Sequence, residues 1–225
     1  MTYCVAMRID KRLVFMSDTR TNAGVDNIST YRKLFTWARP GEAVMTLLTA
    51  GNLATTQAVV SLLDERTKAV GERTASLLDQ PSMFQAACLV GRTLAEVIAR
   101  QAAEGQKAEA TFHATLILGG QIAPGEPRLF LIYPEGNFIE ISEDTPFLQI
   151  GETKYGRPIL VRAFDRTMAF EDAVKLLLIS FDSTIKANLS VGLPLDFQVY
   201  EADSFVAGPA RRITAQDPYF RAISA

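Results

Sequence analysis

The chain of 225 residues holds one histidine, His113, and two cysteines, Cys4 and Cys88. A zinc site of His and Cys would have to gather nearly all three from distant positions, so none is expected. Any serine or cysteine nucleophile activated by imidazole must use His113. Two cysteines so far apart are no disulfide framework, which points to a reduced, cytoplasmic protein. A single Cys4–Cys88 bridge remains open at this level. Long apolar runs are missing too. Arg8, Asp10, Lys11, Arg12 and Asp18 interrupt the first twenty residues, so no secretory signal is expected. No stretch approaches the ~18 apolar residues of a membrane span. An excess of charge of one sign is also lacking. Lys and Arg number 23 against 25 Asp and Glu, a net charge of −2. That gives no electrostatic reason to expect nucleic acid or an anionic membrane as a partner. Repeats, low-complexity tracts and long polar linkers are absent, and no GxGxxG or Walker sequence follows a strand.

What is present is an ordinary globular composition, 48% hydrophobic and 21% charged. The turn clusters are short, at Arg39-Pro40-Gly41, Gly119-Gly120, Ala123-Pro124-Gly125 and Pro134-Glu135-Gly136, and apolar pattern continues on both sides of each. Residues 2–8 and 12–18 predict a hairpin turning at Asp10-Lys11. Residues 33–38 and 42–49 predict a second pair. Helical spacing follows over 53–67 and 82–103, the latter with Ser82 as N-cap and a stripe of Met83, Ala87, Val90, Leu94, Val97 and Ile98. Strands are expected again at 111–118, 128–133, 137–142 and 146–150. A helix follows at 170–187, with Phe170, Val174, Leu177, Leu178, Phe181 and Ile185 on one face. Strands close the pattern at 195–201 and 211–214. The helical stripes read as core. Gly119-Gly120 reads as a tight turn. Strands segregated from helix pairs predict an α+β fold with helices on antiparallel sheets.

The chemistry starts at Thr2. Met1 before a small residue is an N-terminus that cells trim, which would leave Thr2 with a free α-amine. A terminal threonine carries a hydroxyl nucleophile and an amine on one residue. The amine has an ordinary pKa of ~7.7–8.0, close to the working pH of a general base. Such a pair needs no histidine. Asp18 ends the second strand and Lys33 opens the next. If both lie beside Thr2, the lysine ammonium disfavours a second positive charge on the amine and keeps it basic. It can also favour deprotonation of the hydroxyl, while Asp18 holds it in place. The same two residues read equally as an exposed ion pair on strand ends.

The segment Thr2–Leu34, TYCVAMRIDKRLVFMSDTRTNAGVDNISTYRKL, resembles the N-terminus of a proteasome-type β subunit. Thr2, Asp18, Arg20 and Lys33 match that family's motif in order and approximate spacing. Ala50-Gly51-Asn52-Leu53-Ala54 resembles its turn into the first long helix, and the similarity continues through Leu118-Gly119-Gly120, Ile150-Gly151 and the 170–187 helix. It covers residues 2–201. SDTRTNAGVDNISTYRK and the long C-terminal extension most resemble the bacterial Anbu branch. The resemblance implies a four-layer αββα Ntn-hydrolase sandwich over 1–201, followed by an extension over 202–225. It implies Thr2, Asp18 and Lys33 as catalytic residues and Gly51 N–H as oxyanion donor. Thr21 and Asn22 would line the cleft and pair with an extended peptide. Thr49 would form the floor of the first specificity pocket, with Tyr31 near its wall. No metal or cofactor is required. Relatives assemble into rings or open spirals, so a homo-oligomer built through the helical faces is expected. A partner unfoldase is compatible with the resemblance but is not visible in the sequence.

Two positions depart from the family pattern. Glu152 stands where a serine usually follows the Ile150-Gly151 turn. Asn188 replaces an aspartate, and Ser190 lies one position before the expected serine. These residues normally support the terminal amine. Glu152 is therefore read either as a partner of the Thr2 amine or as a solvated turn carboxylate. His113 reads as structural in a strand, Cys4 and Cys88 as inert core thiols. The segment after Ala202 would either pack on its own chain or latch onto a neighbour. The expected activity is amide hydrolysis through an acyl-enzyme. A non-proteolytic amidase or amide transferase, and a weakly active structural ring subunit, are the competing readings.

Overall fold

The computed structural model describes residues 2–22, 28–68, 76–105 and 112–225. The first hairpin is β1 (Tyr3–Ile9) and β2 (Arg12–Asp18), paired as Cys4↔Ser17 through Ile9↔Arg12. A short ribbon follows, β3 (Arg20–Asn22) with β4 (Ile28–Thr30). Then come β5 (Leu34–Arg39), β6 (Ala43–Gly51), α1 (Leu53–Lys68), a 3-10 turn at Leu77–Asp79 and α2 (Met83–Gly105). The second half runs β7 (Ala114–Ile122), β8 (Arg128–Ile132), β9 (Phe138–Glu140), β10 (Phe147–Gly151), α3 (Arg157–Ala163), α4 (Phe170–Ala187), β11 (Leu195–Glu201), β12 (Ala210–Ile213) and α5 (Pro218–Ser224). Two five-stranded antiparallel sheets result, ordered β10-β1-β2-β11-β12 and β5-β6-β7-β8-β9.

Strand alternation explains the layering. Val5, Met7, Val14 and Met16 face one way and pack with Leu177, Leu178 and Phe181 of α4. Cys4, Ala6, Leu13 and Phe15 face the other way and meet Val44, Leu48 and Ile117 of the second sheet. That sheet's outer face, through Met45, Leu47, Leu116 and Leu118, is covered by Leu63 of α1 and Val90 and Leu94 of α2. The chain is therefore an αββα sandwich with three apolar layers. All six residues of the predicted α2 stripe lie in the outer core, and Ser82 Oγ accepts from Gln85 N at 3.3 Å as its cap.

Some expectations change. The strand expected at 111–118 begins at Ala114 and runs on to Ile122, so Gly119-Gly120 is not a turn but mid-strand. A Cβ on Gly119 would sit 2.2 Å from Leu129 Cδ2 and 2.8 Å from the Phe15 ring, so glycine there makes room between the sheets. His113 precedes the strand and is exposed rather than packed. It contributes its carbonyl to Asn52 N at 3.0 Å. Both thiols are free; Cys4 is buried and Cys88 only partly so. The β3–β4 ribbon is too short and polar to show a period. The helices α3 and α5, seven residues each, lie outside the elements expected from the sequence.

The segment after Glu201 packs on its own chain. β12 pairs with β11 from Leu195↔Ile213 to Gln198↔Ala210. Asp217 Oδ1 caps α5 by accepting from Tyr219 N and Phe220 N, and Phe220 enters the α4 core at 4% exposure. Truncation after Glu201 should lower the denaturation midpoint. Phe220 and Ile213 alone should account for about 3 kcal/mol or more. An unchanged midpoint would mean that the segment adds nothing to this core. Native mass of the same variant tests whether it also joins subunits.

Candidate active site

Thr2 enters β1 with its backbone held on both sides. Its carbonyl accepts from Glu152 N at 2.6 Å, and Tyr3 N donates to Asp18 Oδ1 at 3.0 Å. Gly151, at φ +86°, permits this approach: a Cβ there would lie 1.9 Å from Thr2 O. Thr2 itself is 8% exposed.

Asp18 at the end of β2 and Lys33 just before β5 form a buried ion pair at 2.9 Å, with side chains 0% and 5% exposed. The reading as an exposed pair on strand ends is thereby corrected. Lys33 Nζ also donates to Arg20 O at 2.5 Å. Asp18 Oδ2 accepts from Gly192 N at 3.4 Å. Burial pushes the Asp18 carboxyl above the usual carboxylate range, against the pull of the Lys33 charge and the N–H donors of Tyr3 and Gly192. The carboxylate thus depends on its partners, and Lys33 is locked by them.

Thr49 N donates to Lys33 O at 2.9 Å, the last link between the two strands after Leu34↔Leu48. Backbone N–H groups alternate sides along a strand. Gly51 N–H, two residues on, therefore faces the same side as Thr49 N–H, where β5 has ended. Gly51 adopts φ +115°, and a Cβ would lie 2.5 Å from His113 O. Gly51→Ala should cost about 1–3 kcal/mol through strain, read as a lower urea midpoint; full stability would mean the turn is not strained.

Thr2, Lys33 and Gly51 line one cavity of about 440 Å³. Thr21 and Asn22 of β3 form one wall, and Thr49 lines the cavity with them. Ala50, Gly151 and, at the start of α1, Asn52, Leu53 and Thr56 complete the lining; none of these five was expected as a site residue. Asn52 Oδ1 accepts from Thr55 N at 3.1 Å, an N-cap whose Asn-x-x-Thr signal was legible. Tyr31 stands apart, 40% exposed and outside the lining. His113 is outside it as well.

Behind Thr2, Glu152 is 7% exposed, which overturns the solvated-turn alternative. Its Oε1 accepts from Lys154 N at 3.0 Å and its Oε2 from Asn188 Nδ2 at 2.8 Å. Ser190 N donates to Asn188 Oδ1 at 2.9 Å, so Ser190 supports the loop through its backbone. Arg20 Nη1 donates to Leu189 O at 3.0 Å in the same loop.

A second buried group went unnoticed in the sequence. Tyr3 Oη lies 2.6 Å from both Ser180 Oγ and Gln149 Nε2, and Ser180 Oγ donates to Gly156 O at 3.1 Å. Burial pushes the Tyr3 hydroxyl up to about 12. This network ties the residue after Thr2 to α4. In the sequence Tyr3 is indistinguishable from any apolar strand residue.

The cavity, the locked lysine and the strand start that carries Thr2 invite comparison with known structures. Anbu (ancestral beta-subunit) from Yersinia bercovieri matches at 50% identity and TM-score 0.92, over 99% of this chain and 92% of that one. The chain belongs to the Anbu family of proteasome-like proteins. Anbu from Hyphomicrobium sp. strain MC1 matches at 51% identity and TM-score 0.88, over 99% and 92% of the two chains. A helical assembly of the Anbu complex from Pseudomonas aeruginosa matches at 50% identity and TM-score 0.90, over 99% and 91%. No protein-family model and no curated protein matches. At this identity and coverage the Anbu neighbours share the fold of this chain. Among the described residues no group of three His, Cys, Asp or Glu could hold a metal ion, and no helix is long and apolar enough to cross a membrane.

Proposed function

We propose that this Anbu protein is an N-terminal-threonine hydrolase of peptide or amide bonds, active once Met1 is removed. The observation that carries the reading is Lys33, which lines one cavity with Thr2 and is held there by its buried ion pair with Asp18. The α-amine takes the proton of the Thr2 hydroxyl, and the oxygen attacks the substrate carbonyl. The Gly51 N–H receives the developing oxyanion, a contact worth about 3–4 kcal/mol in other hydrolases. The ammonium returns its proton to the leaving nitrogen. An acyl ester on Thr2 remains, and water activated by the same amine releases it. Lys33 disfavours a second positive charge at the amine and stabilises the alkoxide. Asp18 keeps Lys33 charged and in place, and Arg20 secures the loop behind.

An extended peptide fits between β3 and the end of β6. There Thr21 and Asn22 on one side and Ala50 and Gly51 on the other present strand edges to the cavity. Thr49 is small and neutral, so an uncharged residue before the cleaved bond is favoured. The neighbour that forms a helical assembly supports a homo-oligomer here, and we take a ring or an open spiral as its form. The test is acylation of Met1-free protein by a peptide epoxyketone or β-lactone, read by intact mass. One adduct per chain at Thr2 is expected; no adduct at any pH would favour the structural-subunit reading.

A further inference from the structure

The surroundings of Thr2 do not balance in charge. Asp18 and Lys33 neutralise each other in their ion pair. Glu152, by contrast, is almost fully buried, yet both its oxygens are met by neutral donors, Lys154 N and Asn188 Nδ2. Among the described residues no lysine or arginine pairs with it. A buried carboxylate without a cation is costly. Its own N–H holds Thr2 O at 2.6 Å. The β1–β10 register places Tyr3 opposite Gly151, so Glu152 is the residue opposite Thr2.

While Met1 is attached, the Thr2 nitrogen is an amide and carries no charge. Once Met1 is gone it becomes an amine that can hold a proton. On the reading of Thr2 as a freed terminal residue, we propose that the Glu152 carboxylate is the counter-charge of the Thr2 α-ammonium and sets the pH at which that amine becomes a base. Asn188 and Lys154 N–H aim the carboxylate, so Glu152 is a positioning residue and Asn188 supports it. The charged groups on the elements packed around the terminus divide simply. Lys33, before β5, opposes a proton on the amine. Asp18 of β2 is already committed to Lys33. Arg20 of β3 is engaged with Leu189 O. The Lys154 side chain is exposed. Glu152 after β10 is the group left to favour the ammonium. The two opposing influences, Lys33 and Glu152, hold the amine near the pH at which it must both accept and return a proton.

The measurement is the titration midpoint of the Thr2 amine in Met1-free full-length protein. Brief acetylation with acetic anhydride across a pH series reports the neutral fraction, and peptide mass mapping reads it at Thr2. This works whether or not the protein hydrolyses anything. Glu152→Gln should lower the midpoint by about one pH unit, a tenfold gain in neutral amine on the acid side. Glu152→Ser removes the same charge with a smaller side chain and should shift it the same way, which guards against a folding defect in the first variant. Glu152→Asp keeps the charge and should leave the midpoint near wild type. Coincident midpoints in wild type and both neutral variants would overturn the proposal. If wild type titrates as expected but never labels with the epoxyketone, the hydrolase reading fails while the counter-charge stands.

Discussion

Thr2→Ala, compared in protein freed of Met1, should reduce epoxyketone acylation to background, a loss of at least about 10⁴-fold by analogy with nucleophile deletions elsewhere. The methyl side chain keeps the α-amine, so any remaining modification reports the amine alone. Thr2→Ser should retain measurable labelling because hydroxyl and amine persist on one residue. Wild-type protein that retains Met1 should be as inert as Thr2→Ala, since its nitrogen is an amide. Stability is the control. Thr2 stands just before β1, and its carbonyl accepts from Glu152 N, a bond that alanine keeps. The denaturation midpoint should therefore move by less than about 1 kcal/mol. Labelling of Thr2→Ala at the wild-type rate would place the nucleophile elsewhere in the cavity, where Thr21, Thr49 and Thr56 also carry hydroxyls.

The sandwich was legible because its long elements carry strong periods. In β1 and β2 ten of fourteen residues are apolar, and both faces prove to be buried, one under α4 and one against the second sheet. The stripe of α2 points to its core with no exception. What escaped reading had no period to read. The β3 and β4 strands are three residues each. Tyr31 N donates to Thr19 O at 2.8 Å, which extends that short ladder by only one residue. Gly119-Gly120 has the composition of a turn, and the crowding by Leu129, the Phe15 ring and the Val44 carbonyl explains why strand residues there are glycine. The α5 helix was different: Asp217-Pro218 is an N-cap followed by a first-turn proline, a local signal that was present but outweighed by the turn-like residues around it.

At the site, order along the chain pointed to Thr2, Asp18, Lys33 and Gly51; the fold brings Thr2, Lys33 and Gly51 to one cavity and pairs Asp18 with Lys33. Burial was what the sequence could not supply. Asp18 and Lys33 look the same in sequence whether solvated or sealed. Only the packing of Tyr3 N and Gly192 N around Asp18 distinguishes the cases. The same holds for Glu152, whose partner Asn188 lies 36 positions away. Tyr31 shows the opposite limit: its place in the motif suggested a pocket wall, but its side chain turns to solvent.

Lys33→Met should cost at least about 10³-fold in acylation, because one change removes both the alkoxide partner and the charge that opposes protonation of the amine. It should also destabilise the fold by about 3–5 kcal/mol, since Asp18 is left buried without its cation. The sign of the pH dependence follows from Asp18. Burial already holds this carboxyl above its unfolded value, and loss of Lys33 removes the strongest opposing influence, so it rises further. A group raised on folding favours the folded state fully below its unfolded pKa and loses that contribution as pH rises through the folded value. The destabilisation of Lys33→Met should therefore be largest at pH 8 and shrink as pH falls toward the ordinary carboxylate range near ~4. Adding Asp18→Asn to Lys33→Met removes the stranded charge. The double variant should recover most of the stability at pH 8 while recovering none of the acylation. Urea midpoints across pH, set beside labelling rates for the same proteins, separate the two roles. Activity within tenfold of wild type in Lys33→Met would remove the lysine from the mechanism. An equal loss of stability in single and double variants would show instead that Lys33 acts through its packing and its bond to Arg20 O, not through its pairing with Asp18.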